Sequence, residues 1–392
     1  MKPTGAPLFI TLSVLVMVLQ VGAQQFKKCE MSAYPPQKHD LVPVYEVDLD
    51  LPPSKRWDHL MKDRGPQVTA LVDAVSDLAQ SILGTRLYEL LLSFLPKVGE
   101  SMPSPYYEEL QGISASSGVP LSKVTLYNIF YEAFSVCTSI VAQNPAGHLI
   151  HARNLDNGAF LGWDSSNHTW RVAELLHPLS VHLVWKKNNA TLFRSINFAG
   201  YIGVLTGVKE NKFSFSLNKR LSLGGGLMGI LEWVLFGDHK QSWVSLLPRE
   251  VLEEADNYKE AQHILTSRRL LAPVYYILAG PEPLQGCIIT RDRDNSNLVT
   301  LGSKTEGSGS WFLVQTNYDH WNKPPFFDDR HTPSCHCLTQ AGQQNTSSSL
   351  LYNVLSTKPV LNKETVYTAV MDPKSGELEA WLRHCPDPCW PW

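Results

Sequence analysis

The sequence predicts a layered protein of mixed helix and sheet, on three observations. Its first third carries helical periodicity, the remainder is broken into short β-rich runs, and two helical stretches interrupt those runs. A hydrophobic fraction of 43% against 18% charged residues allows a packed core, and the length suits one large domain or two.

The elements follow in order. Residues 24–66 are proline-rich and read as extended, turning into a short helix around 56–62. Over 67–96, Val68, Leu71, Val75, Leu78 and Ile82 step by three and four, and Leu87, Leu90, Leu91, Phe94 and Leu95 continue the apolar face. Another helix is expected over 121–134. Strands are expected at 138–142, 148–153, 182–185, 213–217, 275–278, 287–291 and 311–316, with helices at 229–236 and 243–267.

The first 23 residues combine Lys2, an apolar run over 8–19 and the small residues Val21, Gly22 and Ala23, which is the make-up of a secretory signal peptide. No later run reaches the roughly 18 apolar residues a membrane helix needs. Sequons at Asn167, Asn189 and Asn345 suit a glycoprotein of that route. Net charge is −3, but protonating the 13 histidines would turn the balance positive. In an acidic compartment the chain would then be drawn to an anionic lipid surface. Nothing resembles a basic nucleic-acid tract. The glycine run 224–229 lies outside any βαβ unit, and no serine nucleophile elbow occurs.

There are seven cysteines. Cys385 and Cys389 can close a small loop. Cys335 and Cys337 are too close to bridge each other, so one of them reaches Cys29, leaving Cys137, Cys287 and the other. The Cys335-His336-Cys337 spacing does not suit zinc, and neither metal nor cofactor is expected.

Asn144-Pro145-Ala146-Gly147 reads as a hairpin tip. Counting back places Cys137 opposite Arg153 or Asn154, with Asp156 just past the strand end. A guanidinium beside sulfur favours the thiolate, the nucleophilic form. No histidine is placed locally to act as base. The cysteine's own α-amine could serve, with a reference pKa of roughly 7.7 to 8, if the chain were cut before it. The competing reading is an inert cysteine in an apolar strand. On the residues alone, Asn317 reads as a strand-end turn residue and Arg330 as an ion-pair partner of Asp328 or Asp329.

The runs CTSIVAQ and GHLIHARNLD, FAGYIGVLTG (198–207), VQTNYDHW (314–321), DDRHTP (328–333), LSTKPVLNKETVYT (355–368) and CPDPC (385–389) resemble the N-terminal-nucleophile amidases, the family of acid ceramidase and N-acylethanolamine acid amidase. The likeness spans nearly the whole mature chain. Cys29, the terminal cysteine loop and YEVDLDLPPSKRWDHLM lean to the ceramidase side. It implies an α+β fold with an αββα sandwich and a signal peptide over 1–23. It also implies self-cleavage between Val136 and Cys137, into a mainly helical α-subunit (24–136) and a catalytic β-subunit (137–392) held as a heterodimer. It further implies hydrolysis of ceramide or another N-acyl lipid in the lysosome, with some chain secreted, and a sphingolipid activator protein as a candidate partner.

In that reading Cys137 is the nucleophile, Arg153 supports its thiolate and Asp156 holds its α-amine. Asn317 donates to the oxyanion, an interaction worth roughly 3 to 4 kcal/mol in comparable sites, and Arg330 completes the polar network. Cys29 with Cys337 and Cys385 with Cys389 are then the expected disulfides, with Cys287 and Cys335 left open. One position departs from the resemblance: Lys219 stands where the ceramidase pattern has an acidic residue. That inversion of charge implies an altered substrate preference, such as for N-acylethanolamines, or a weakened, lipid-binding relative.

Overall fold

The computed structural model describes residues 26–157, 162–220, 241–303 and 310–389. The segment 1–23, the glycine run and the expected helix at 229–236 lie outside them, as do the side chains of Leu78, Ile82 and Leu91.

The strands are β1 (Val44–Asp48), β2 (Ser135–Gln143), β3 (Leu149–Asn157), β4 (Trp163–Asp164), β5 (Thr169–Trp170), β6 (Ser180–Lys187), β7 (Ala190–Phe198), β8 (Thr206–Lys209), β9 (Phe213–Lys219), β10 (Val274–Ala279), β11 (Gly286–Arg291), β12 (Ser296–Thr300), β13 (Phe312–Gln315), β14 (Thr365–Met371) and β15 (Leu378–Leu382). They form an eight-stranded sheet in the order β1-β6-β7-β8-β9-β10-β11-β12 and a five-stranded sheet in the order β13-β2-β3-β14-β15, with β4 and β5 as a separate pair. Only the β1–β6 pairing among the named strands is parallel.

Alternation along each strand explains the layering. On the small sheet, Ile140, Ala142, Ile150, Ala152 and Val370 point outward and pack under the helices His331–Ala341 and Ser348–Ser356. Their neighbours Val141, Leu149 and Leu313 point inward onto Tyr275 and Ile277 of the large sheet. The far side of the large sheet is covered by the helices Leu246–Glu254 and Tyr258–Ser267, and by the N-terminal helices. The product is the αββα arrangement.

The N-terminal helices differ from the expected ones. One helix runs continuously over Asp58–Leu83, passing through Pro66. An internal proline costs ~3 kcal/mol, which burial of Val68, Leu71, Val72 and Val75 offsets. Gly84, at φ +75°, then ends it and a second helix starts at Thr85. The break rotates the apolar stripe, so Leu95 stays buried while Leu87, Leu90 and Phe94 are exposed. The expected helix at 243–267 is likewise two. Asn257 caps the second by accepting from the Glu260 amide at 3.0 Å, and the Glu260 carboxylate reaches back to the Asp256 amide at 2.8 Å. The helix at Leu121–Phe134 runs directly into β2.

A buried ion cluster joins the N-terminal helices to the rest. Glu109 receives both Arg249 terminal nitrogens at 2.6 Å and Trp57 Nε1 and Arg56 Nη1 at 2.9 Å. Cys29 is disulfide-bonded to Cys337 and Cys385 to Cys389, while Cys137, Cys287 and Cys335 are thiols. Asn167, Asn189 and Asn345 are all exposed. Among the described residues, no helix is long and apolar enough to cross a membrane.

Candidate active site

The hairpin that carries the site is one residue longer at its tip than the sequence suggests. The Asn144 amide donates to His148 O at 2.9 Å and the Gly147 amide donates back to Asn144 O at 3.0 Å, so Asn144 pairs with His148. Gly147 takes φ +87°. A two-residue Pro-Ala tip would need positive φ where proline forbids it, whereas a three-residue tip needs it only at glycine. The shift carries down both strands. Cys137 pairs with Leu155, not with Arg153 or Asn154, and Arg153 pairs with Ser139. The slip also puts Arg153 on the same face as the thiol, where the expected register with Asn154 would have turned it away.

That face lies between the two sheets and is fully buried at Cys137 and Arg153, while Asp156, next to Leu155, is fully buried on the opposite face of the hairpin. Arg153 Nη2 donates to Cys137 Sγ. Its Nη1 is anchored across the gap on Leu205 O and Thr206 Oγ1, both at 2.9 Å, and Thr206 is in turn held by Tyr367 Oη at 2.8 Å. Burial pushes the Cys137 thiol above its ordinary value, while the Arg153 and Arg330 charges pull it back.

Arg330 sits at the start of the helix His331–Ala341 and closes the site from the other side. Its Nη1 donates to Cys137 O at 2.6 Å, to Thr138 Oγ1 at 3.2 Å and to Asp156 Oδ2 at 3.3 Å. Its Nη2 donates to Asn317 Oδ1 at 2.8 Å, and its Nε to Asp328 Oδ1 at 2.8 Å. Asn317, just past β13, therefore has a fixed orientation. Its Oδ1 also accepts from the Cys137 amide at 2.8 Å, and its Nδ2 donates to Lys219 O at 2.7 Å. Burial, only partly countered by Arg330, raises the Asp156 carboxyl to about 6. Its Oδ1 has no hydrogen-bond partner among the described residues.

All five expected residues thus meet around Cys137, three from one hairpin and two, Asn317 and Arg330, from a second region far along the chain. Lys219 ends β9 beside them, with burial holding its ammonium below the ordinary lysine range. Val136 pairs with Asp156 across the hairpin. Sequence reading missed Thr206, Tyr367 and Thr138 as supports. The ion pair it read for Arg330 forms with Asp328, not Asp329.

The profile described as "Linear amide C-N hydrolases, choloylglycine hydrolase family" matches residues 137–334, and that of the "beta subunit of N-acylethanolamine-hydrolyzing acid amidase" matches 40–102. The chain is 44% identical to the acid ceramidase of Pan troglodytes, over 99% of this chain and 98% of that protein. It is 45% identical to that of Bos taurus, over 98% of each. Among solved structures, the Caenorhabditis elegans N-acylethanolamine-hydrolyzing acid amidase ortholog superposes with a TM-score of 0.52 at 34% identity, over 63% of this chain and all of that one. With likeness of that extent, nearly end to end, the chain belongs to the acid ceramidase family of linear amide C–N hydrolases and is an amidohydrolase.

Proposed function

We propose that the chain is a precursor which cuts itself between Val136 and Cys137 and then hydrolyses the amide of ceramide to sphingosine and a fatty acid. The observation that carries this reading is Cys137 itself. Its sulfur is held by Arg153, its carbonyl by Arg330 and its amide by Asn317.

In the cut, Cys137 Sγ attacks the Val136 carbonyl and the Val136–Cys137 C–N bond breaks as the nitrogen takes up a proton. Water then hydrolyses the thioester, leaving a carboxyl on Val136 and an α-amine on Cys137. That amine stays beside Asn317 Oδ1, and Asp156 Oδ1 is the acceptor left for its second proton. In turnover, the amine takes the proton of the thiol as sulfur attacks the fatty amide. The second N–H of Asn317 Nδ2, beyond the one given to Lys219 O, is the donor for the oxyanion. The proton passes to the leaving amine, and water releases the acid from the thioester.

The site of action is an acid compartment, the lysosome, with some chain secreted and glycans on Asn167, Asn189 and Asn345. Exposed Leu87, Leu90 and Phe94 on the helix Thr85–Ser101 support docking on an anionic lipid surface, with or without an activator protein. A preference for N-acylethanolamines is the second reading, favoured by the Caenorhabditis elegans neighbour and the 40–102 match. Incubating the expressed chain at acidic pH and sequencing its termini, then measuring fatty-acid release from ceramide and from N-acylethanolamines, tests both. A terminus beginning Cys-Thr-Ser-Ile with ceramide turnover supports the first reading. An uncut chain that still splits amides refutes it.

A further inference from the structure

The space between the sheets is apolar around Val141, Leu149, Tyr275 and Ile277, yet a polar line crosses it next to the nucleophile. His151 lies two residues from Arg153 on the same face, with Nδ1 3.0 Å from Ser214 Oγ and Nε2 2.8 Å from Ser216 Oγ. Ser216 Oγ donates to Ser139 Oγ at 2.9 Å, and Ser139 Oγ donates to Asn218 Oδ1 at 2.8 Å. Asn218 Nδ2 donates to Gln315 O at 2.8 Å and Thr316 O at 3.2 Å, the two carbonyls just before Asn317. Every one of these side chains is buried.

The protons fix the direction of this chain. Asn218 has given its nitrogen to two carbonyls, so its oxygen must accept from Ser139. Ser139 has then spent its proton and must accept from Ser216. Ser216 has spent its own, so His151 Nε2 must be the protonated nitrogen. Ser214 can reach both His151 Nδ1 at 3.0 Å and Ala279 O at 3.4 Å, and the shorter contact takes its proton. The imidazole is therefore neutral, and every donor points from Ser214 towards the Asn317 turn. Burial and the neighbouring Arg153 charge act the same way, keeping the ring unprotonated down to about pH 3. A buried chain satisfied at each link holds its members to one geometry.

We propose that His151, Ser216, Ser139 and Asn218 are positioning residues for amide hydrolysis: a one-way hydrogen-bond chain that ties the Cys137 strand to the turn bearing Asn317. Ser139 sits two residues from Cys137 on β2, and Asn218 precedes Lys219, whose carbonyl anchors Asn317 Nδ2. The chain thus spans between nucleophile and oxyanion donor without touching substrate. Small displacements of such a pair cost rate rather than binding.

The test compares Ser139→Ala, Ser216→Ala and the double variant with wild type, at a temperature well below each unfolding midpoint. The expected result is a fall of about tenfold in kcat with KM unchanged. The double variant should lose no more than the worse single, because one broken link already disconnects the chain. Ser139→Cys, similar in size with a weak donor, loses kcat in the same way if an alanine variant does not fold, and Ser139→Thr restores it. Single losses that multiply in the double variant, a raised KM at wild-type kcat, or kcat within about twofold of wild type overturn the proposal. It rests on Cys137 as nucleophile. If the wild type never yields a Cys137 terminus, that reading falls; if it does and the variants match it, the chain falls.

Discussion

Arg330 donates to the backbone carbonyl of Cys137 at 2.6 Å, so Cys137 is gripped by its own main chain as well as at its sulfur. The same guanidinium holds Asn317, Asp328 and Asp156 and is almost wholly buried. With Thr138 Oγ1 as well, it fixes the positions of five groups at once.

Replacing that guanidinium should be costly in two ways. Arg330→Ala leaves Asp156 and Asp328 without their buried partner, and stability should fall by about 3 kcal/mol or more. Arg330→Lys keeps the charge but cannot fork, so it should fold better than Arg330→Ala yet remain poorly active. Denaturant unfolding and amide hydrolysis on both variants check this; equal turnover for Lys and Arg at 330 would count against the geometry.

Cys137→Ala should remove precursor cutting and lower turnover by more than about 10³-fold. Gel mobility at acidic pH and fatty-acid release measure it. The wild-type two-band pattern persisting in the variant would sink the nucleophile assignment.

Asp156 gives a pH signature. Its carboxyl is raised to about 6 in the fold against an ordinary 3.8. Between those values the folded chain binds a proton that the unfolded chain has released. The stability this lends is complete in acid and is lost as pH rises through 6. Asp156→Asn has no such proton, so its stability relative to wild type should improve by on the order of 2–3 kcal/mol from pH 4 to pH 7. His151, held neutral to about 3, works in the opposite sense and is unaffected by that substitution. Parallel pH–stability curves for Asp156→Asn and wild type would contradict the assignment.

Lys219 should govern which amide is turned over more than whether the chain cuts itself. Its carbonyl anchors Asn317 through the main chain, which a side-chain change leaves in place. Lys219→Glu should alter the ratio of ceramide to N-acylethanolamine hydrolysis while conversion at Cys137 continues. Unchanged rates on every amide would show that the position is silent.

The near half of the site was readable because it is local: one hairpin brings Cys137, Arg153 and Asp156 together. Even so, the register depended on whether Gly147 or Ala146 closed the turn, and the tip chemistry decided it. Asn317 and Arg330 arrive from 180 and 193 residues away, and nothing in their own surroundings marks them. They were identified through family resemblance alone. The helix His331–Ala341 escaped notice because its Thr-Pro-Ser-Cys-His-Cys start is poor in helix formers and is stabilised by packing of Cys337 and Leu338 on the small sheet. Gly84 hid the division of one apolar stripe into two helices with different faces.

The first strand, β1, belongs to the portion ahead of Cys137, yet it forms the edge of the large sheet by pairing Val44 to Asp48 with His182 to Lys186. The proposed hydrolysis before Cys137 would therefore divide the polypeptide without dividing the large sheet. The fragment from 137 onward keeps the five strands of the small sheet but lacks the edge strand of the large one, so the two halves should be obtainable only by letting them fold as one and never by refolding each in its own tube.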